Sequence, residues 1–376
     1  MSARRRFRSL LLPFALVLAV PTVAPATPAA AAEPAYAVTP VATGLSIPWD
    51  VTWVGDLMLF NERAGRLWSK RGNAAPQAVS LPLPPIFARS EGGLLGMVAD
   101  PAASSNGNFY TCMSVAKASG AASDVQVWKW QLTSDTTAVK VKVLVKGLPI
   151  GSGRHNGCRL RFRSSRMIYI GTGDAAKGTS PQSLKSLGGK VLRVRSDGSI
   201  PTSNPFYYKG GNARYVWTRG HRNVQGLAFR PNGEVWSVEH GPSKNDEINQ
   251  IIGGSNYGWS PTPGYNESRS MTDKKRYPKA RSAKWSSGSP TVATSGATFL
   301  DGNQWGSWNG VLAVAMLKGQ GVLLFRVGAK NKLTRFAEIA STYGRIRTAV
   351  QGPDGALYFT TSNGSGDGVY RLALVG

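Results

Sequence analysis

Residues 220–259 read GHRNVQGLAFRPNGEVWSVEHGPSKNDEINQIIGGSNYGW. Within them the turn Asn232-Gly233-Glu234 leads into Val235-Trp236-Ser237, and a partner run follows at Glu247-Ile248-Asn249-Gln250-Ile251. A polar turn, most often rich in Gly, Asn, Asp or Pro, before a short β-type apolar run, with a second such run behind it, is the pattern of a β-hairpin. The pattern recurs at residues 55–60, 106–111, 165–170, 308–313 and 354–359, with partner runs at 66–68, 125–130, 191–194, 322–327 and 368–372.

Six hairpins spaced roughly fifty to seventy residues apart predict an all-β fold, a six-bladed β-propeller of four-stranded antiparallel blades. Radial repetition leaves such a fold only short, protected strand edges. A β-sandwich of similar strand content is the alternative, but it does not call for six recurrences over this length. The early run at residues 36–41 is expected to complete the last blade beside the C-terminal run and close the ring. The turn-rich stretch 260–290 reads as an insertion at one end of the ring and, with Trp285, is expected to shape a binding mouth. No stretch has the composition of an interdomain linker, so residues 33–376 form one domain.

The chain has 376 residues, 41% of them hydrophobic, which suits a globular protein with ample core. Its first 32 residues have the anatomy of an export signal: an arginine-rich start, an apolar stretch from Leu10 to Val23, and small residues through Ala29-Ala30-Ala31-Ala32. Pro13, Pro21 and Pro25 interrupt the apolar stretch, which is shorter than the roughly 20 residues that span a bilayer. Secretion or another extracytoplasmic location is therefore expected, with no stable membrane span. Arg4-Arg5-Arg6-Phe7 leaves general and twin-arginine export both open. Removing Arg4, Arg5, Arg6 and Arg8 from the formal charge of +25 leaves +21. Such a charge attracts anions generally, yet its spread along the chain favours a basic surface over nucleic-acid binding. In an oxidising compartment the pair Cys112 and Cys158 favours a disulfide, with two buried thiols in adjacent strands as the alternative.

Of the three histidines, His155 is the better candidate for a base. His155 lies in Gly153-Arg154-His155-Asn156-Gly157, and Asp174 follows after one strand-like run. A hairpin returning to the same rim would bring Asp174 to the imidazole, fix its tautomer and make His155 a general base. A histidine that merely bonds a neighbouring loop is the alternative. His240-Gly241-Pro242, followed by Asn245, Asp246 and Glu247, offers side-chain oxygens and backbone carbonyls that suit calcium, though the acidic pair could equally stabilise a turn. The histidines show no zinc-type spacing, and no nucleophile elbow or phosphate-binding loop follows a strand. Lys318, Arg345 and Arg347 are three cations suited to a ligand with several carboxylates or phosphates, and Arg345 and Arg347 share one face of an extended segment.

The motifs Gly220-His221-Arg222-Asn223-x-Gln225-Gly226, Gly241-Pro242 with Asp246-Glu247-Ile248-Asn249, and Asn256-Tyr257-Gly258-Trp259 resemble those of the glucose/sorbosone dehydrogenase family. The resemblance runs from Gly44-Leu45 through Gly93-Leu94-Leu95-Gly96 to Gly344-Arg345-Ile346-Arg347, and the compact length is similar to the aldose sugar dehydrogenase branch. It implies a propeller that binds pyrroloquinoline quinone (PQQ) and Ca2+, oxidises the anomeric hydroxyl of an aldose to the lactone and passes electrons to an external acceptor. It further implies His155 as base, supported by Asp174, with Arg222 and Asn223 on the quinone oxygens. Lys318, Arg345 and Arg347 would meet the carboxylates, Gly241 and Pro242 would hold calcium by backbone carbonyls, and Glu247 with the Tyr257 carbonyl would form a second calcium site. Glu91 stands where members often have Gln, which bears on cofactor or sugar contacts. Cys158 replaces a common glycine, which supports the disulfide to Cys112, and Val224 replaces a usual Pro. The competing readings are a noncatalytic sugar- or protein-binding propeller and a calcium-dependent lactonase-type propeller, the latter lacking an axial cluster of acidic and Asn ligands.

Overall fold

The structure is a computed structural model that describes residues 33–164 and 166–375. The export signal expected at residues 1–32 lies outside the described residues. The described residues from Pro34 onward form one compact unit, built of six four-stranded antiparallel sheets. From inner to outer strand the first blade is Pro48–Val54, Leu57–Glu62, Arg66–Arg71 and Gln77–Ala78. The second is Leu94–Ala99, Asn108–Ala116, Ala122–Ser134 and Thr137–Leu148, and the third is Gly157–Ser164, Met167–Thr172, Lys190–Arg195 and Val216–Arg219. The fourth is Val224–Phe229, Val235–Glu239, Glu247–Ile251 and Trp285–Ser286, and the fifth is Thr294–Phe299, Leu312–Met316, Val322–Val327 and Leu333–Ile339. The sixth runs Ile346–Gln351, Leu357–Thr361 and Asp367–Leu374, and is completed by Tyr36–Leu45, which pairs antiparallel with Asp367–Leu374. The N-terminal strand thus closes the ring, so no blade is left with an unpaired seam.

Every hairpin read from the sequence is the second and third strand of a blade. The second strands are buried almost throughout: all six residues of Leu57–Glu62 are buried, as are all five of Leu312–Met316. The cores accordingly sit between blades. Tyr110, Val125 and Val127 of the second blade pack against Leu160, Ile168 and Leu192 of the third. The Cys112–Cys158 disulfide, 5.5 Å between Cα atoms, links the same two blades.

On the axis the inner strands converge on Asp50. Its fully buried carboxylate accepts from Met97 N–H at 3.0 Å in the second blade, Thr348 Oγ at 2.9 Å in the sixth, and Arg161 at 3.0 Å in the third. Arg159 Nη1 lies 2.8 Å from it and the same guanidinium donates to Gln225 O of the fourth blade. Burial pushes the Asp50 carboxyl up, but Arg159 and Arg161 outweigh it and hold the group below the usual carboxylate range. Arg159 also lies 4.1 Å over the Trp49 ring.

Among the described residues no helix is long and apolar enough to cross a membrane. Trp285 belongs to the blade core and not to the binding mouth that the sequence predicts: it pairs with Ile248, and its ring meets Phe325 edge-on at 5.1 Å.

Candidate active site

His155 sits just before the inner strand of the third blade, and Asp174 just after the second strand, so their hairpin returns both to one rim. His155 adopts a left-handed φ of 54°. Its peptide oxygen crowds Gly173, where an added Cβ would lie 1.7 Å away, so only glycine fits before Asp174. His155 Nδ1 is 2.8 Å from Asp174 Oδ1, with both side chains buried. Asp174 Oδ1 also accepts from Ala176 N–H at 2.8 Å, while Oδ2 accepts from Trp259 Nε1 and from Tyr265 Oη, each at 2.8 Å. With Ala176 N–H, Trp259 Nε1 and Tyr265 Oη all donating to this carboxylate, it serves as an acceptor, so His155 Nδ1 donates to it and Nε2 keeps its lone pair.

Tyr265 is a residue that the sequence reading missed. Its hydroxyl lies 3.0 Å from His155 Nδ1 as well as on Asp174. Burial, then the Asp174 charge, pushes its pKa up, so it stays a protonated donor. The insertion 260–290 thereby shapes the site through Tyr265 where Trp285 was expected to. Two residues on, Glu267 Oε1 accepts from Arg222 Nη2 at 2.5 Å and from Arg154 at 3.3 Å. Burial pushes the Glu267 carboxyl up, and the hydrogen bond and charge of Arg222 bring it below its ordinary value.

Arg222 is buried; its Nη1 donates to His240 O at 3.2 Å and its Nε has no partner. Asn223 Oδ1 accepts from Gly157 N–H and Gln225 Nε2, each at 3.0 Å, and its Nδ2 donates to Glu91 at 3.1 Å. The Glu91 carboxylate also accepts the His155 backbone N–H at 3.1 Å, so it ties the base segment to Asn223. His221 is structural: Glu239 holds Nδ1 at 2.8 Å, Thr218 meets Nε2 at 2.9 Å, and Tyr257 stacks on its ring at 4.5 Å.

Beside these residues opens a cavity of about 400 Å³, lined by Trp49, Glu91, Asn156 and His240 with the cations Arg63, Arg345 and Arg347. Arg345 donates to Ser362 O at 3.1 Å and Arg347 to Gln225 Oε1 at 3.1 Å. Burial, then the Arg159 charge, pulls the Arg347 pKa down to about 9. Burial, then Arg347 and Arg222, pulls His240 down to about 3, so its imidazole is neutral. His240 Nε2, Arg347 Nε and Asn156 Oδ1 are buried without a hydrogen-bond partner. Unpaired polar atoms around a cationic cavity are what a polar, anionic ligand would satisfy. Lys318 is exposed and does not line this cavity, although its neighbour Leu317 does.

The Gly241-Pro242 turn is held by Asp246, whose oxygens accept Gly241 N–H at 2.8 Å and the N–H groups of Val292 and Ala293. Asp246 therefore braces the turn. Glu247 lies opposite Glu239 in register, and burial, then the Glu239 charge, pushes its pKa up to about 8. Among the described residues no cluster of three or more His, Cys, Asp or Glu side chains is placed to hold a metal ion.

The sequence profile described as Glucose / Sorbosone dehydrogenase matches residues 45–371. The aldose sugar dehydrogenase YliI of Escherichia coli K12 is 31% identical over 340 residues, covering 86% of this chain and 89% of that protein. The apo crystal structure of the soluble E. coli aldose sugar dehydrogenase superposes with a TM-score of 0.81 at 26% identity, over 90% of this chain and 100% of that one. The PQQ-bound aldose sugar dehydrogenase of Streptomyces coelicolor superposes with a TM-score of 0.72 at 28% identity, over 92% and 100% of the two chains.

Proposed function

Since the chain belongs to the glucose/sorbosone dehydrogenase family, and is an oxidoreductase of the sugar-dehydrogenase kind, we propose that it oxidises the anomeric hydroxyl of aldoses to lactones with PQQ and calcium. The observation that carries this reading is the buried His155–Asp174 pair beside a cavity lined by three arginines.

Oxidising an anomeric alcohol to a lactone removes the hydroxyl proton and, from C1, a hydrogen with its electron pair. His155 Nε2 takes the proton, since Nδ1–H is committed to Asp174. The Asp174 carboxylate stabilises the imidazolium so formed, and Tyr265 and Trp259 hold that carboxylate in place. PQQ, when bound, supplies a two-electron acceptor. Arg345 and Arg347 would hold its carboxylates, with Lys318 at the outer edge, and Arg222 and Asn223 would serve its quinone oxygens. Glu91 would act from the cavity wall. Gly241 and Pro242 would offer calcium their carbonyls on a turn where an added Cβ would lie 2.1 Å from Lys244 O. A second calcium beside Glu247 and the Tyr257 carbonyl would relieve the repulsion between Glu239 and Glu247. The disulfide supports a secreted or extracytoplasmic enzyme, in which residues 1–32 would be the export signal and residues 33–376 the single domain.

The test is reconstitution of the chain, freed of residues 1–32, with PQQ and calcium, followed by dye reduction with a panel of aldoses. Quinone binding and sugar-dependent dye reduction are expected, and the absence of both would overturn the proposal. His155→Ala should bind the quinone yet lose about 10² to 10⁴ in turnover; unchanged turnover would remove His155 from its role.

A further inference from the structure

Lys190 opens the third strand of the third blade, and its side chain is fully buried. Among the described residues no carboxylate is ion-paired to it. Its Nζ donates instead to three backbone carbonyls, Ser180 O at 2.6 Å, Pro181 O at 3.0 Å and Gly188 O at 2.6 Å. These match the three donors of an ammonium one for one. A buried ammonium is expensive unless it is hydrogen-bonded, and an apolar side chain here would leave the carbonyls of Ser180 and Gly188 without this donor.

All three carbonyls belong to the connection 173–189, whose second residue is Asp174. Gly189 N–H closes this connection on Gly173 O at 2.9 Å, and Asp174 N–H donates to Arg222 O at 2.8 Å. Pro181 O, already bound by Lys190, also accepts Gly220 N–H at 2.9 Å, and Gly189 O accepts His221 N–H at 3.2 Å. The ammonium therefore stands where the loop that carries Asp174 crosses the turn that carries Arg222.

We infer that Lys190 is a positioning residue for the His155–Asp174 pair, its ammonium pegging the 173–189 loop against the 220–222 turn so that the Asp174 carboxylate stays on His155 Nδ1. The kinetic consequence rests on the sugar-oxidising reading; the structural consequence does not. Replacing Lys190 by Met removes all three donors, frees the loop, and lets the carboxylate drift from the imidazole. Misplacement by about 1 Å can cost about 10²-fold in rate.

The experiment compares wild type, Lys190→Met and Lys190→Gln by two readings. The chain has three histidines, so selective ¹⁵N-histidine labelling, assigned with His155→Ala, reports the His155 Nδ1–H resonance without any cofactor. Expected for Lys190→Met is loss or broadening of that resonance, with kcat about ten-fold lower or more and KM for the sugar within about two-fold. A folded Lys190→Met with the wild-type resonance and wild-type kcat, differing only in melting temperature, overturns the inference. If Lys190→Met does not fold, Lys190→Gln, neutral and with two donors, is read by the same criteria. Wild type inactive on every sugar would refute the proposed function and leave the resonance to decide Lys190.

Discussion

Asp174→Asn changes one atom and removes one charge, and the hydrogen bonds around the carboxylate determine the outcome. Both oxygens are fully committed: Oδ1 to His155 Nδ1 and Ala176 N–H, Oδ2 to Trp259 Nε1 and Tyr265 Oη. If the new NH₂ takes the Oδ1 position, it faces the Ala176 N–H donor and forces His155 Nδ1 to accept. The proton then moves to Nε2 and no base remains. If it takes the Oδ2 position, the Trp259 indole N–H loses its acceptor, and a neutral amide no longer stabilises the imidazolium. Either orientation leaves one buried N–H unpaired, at about 1 to 3 kcal/mol of stability. Loss of the tautomer or of the charge should lower kcat by about 10³ to 10⁴, with KM little changed. Urea unfolding and steady-state dye reduction on the reconstituted enzyme measure the two effects. A kcat within about five-fold of wild type would refute the assignment of His155 and Asp174 as the proton-accepting pair.

Three further outcomes are expected. The disulfide spans a sequence separation of 46 residues, so Cys112→Ala with Cys158→Ala should cost about 4 kcal/mol in urea unfolding; a loss below about 1 kcal/mol would show that the blades hold together without it. Asp50→Ala strands the fully buried Arg159 without its counter-charge and should cost about 3 to 5 kcal/mol, seen as a lower unfolding midpoint, whereas an unchanged midpoint would contradict the axial hub. Burial, then Arg219, pulls the Lys190 pKa from 10.5 to about 7, against the Asp174 charge. The unfolded chain then holds the extra proton between those values, so Lys190 should make stability rise with pH across that window by up to about 1.4 kcal/mol per unit. Comparing urea midpoints at several pH values should show a shallower rise in Lys190→Met, and identical slopes would refute the shift.

What was legible in the sequence is what is local. Except in the third blade, where residues 173–189 intervene, a blade's second and third strands are joined by a short connection or a tight turn, and the second strands are almost wholly buried, so turn residues and apolar runs mark them. The outer strands Gln77–Ala78 and Trp285–Ser286 are two residues long and leave no pattern to read. His155 and Asp174 were readable because one hairpin separates them. Tyr265 was not: it lies 110 residues from His155 and 91 from Asp174, in a stretch without periodicity, and a Tyr before Asn266 carries no signal of its own. Lys318 matched a motif, yet it does not line the cavity that Arg345 and Arg347 line.

By itself the sequence determined six hairpins, a strand to close the ring and the family motifs that carry His155, Arg222 and the late arginines. Only the tertiary structure decided which of these groups meet. Closing the ring brings Asp50 to Arg159 and Arg347 to Gln225 across 109 and 122 residues, and folds Tyr265 and Glu267 of the insertion onto Asp174 and Arg222. The strands follow from short-range turn chemistry and alternation along the chain. The site follows from burial of charges that must find partners, and those partners lie on other blades.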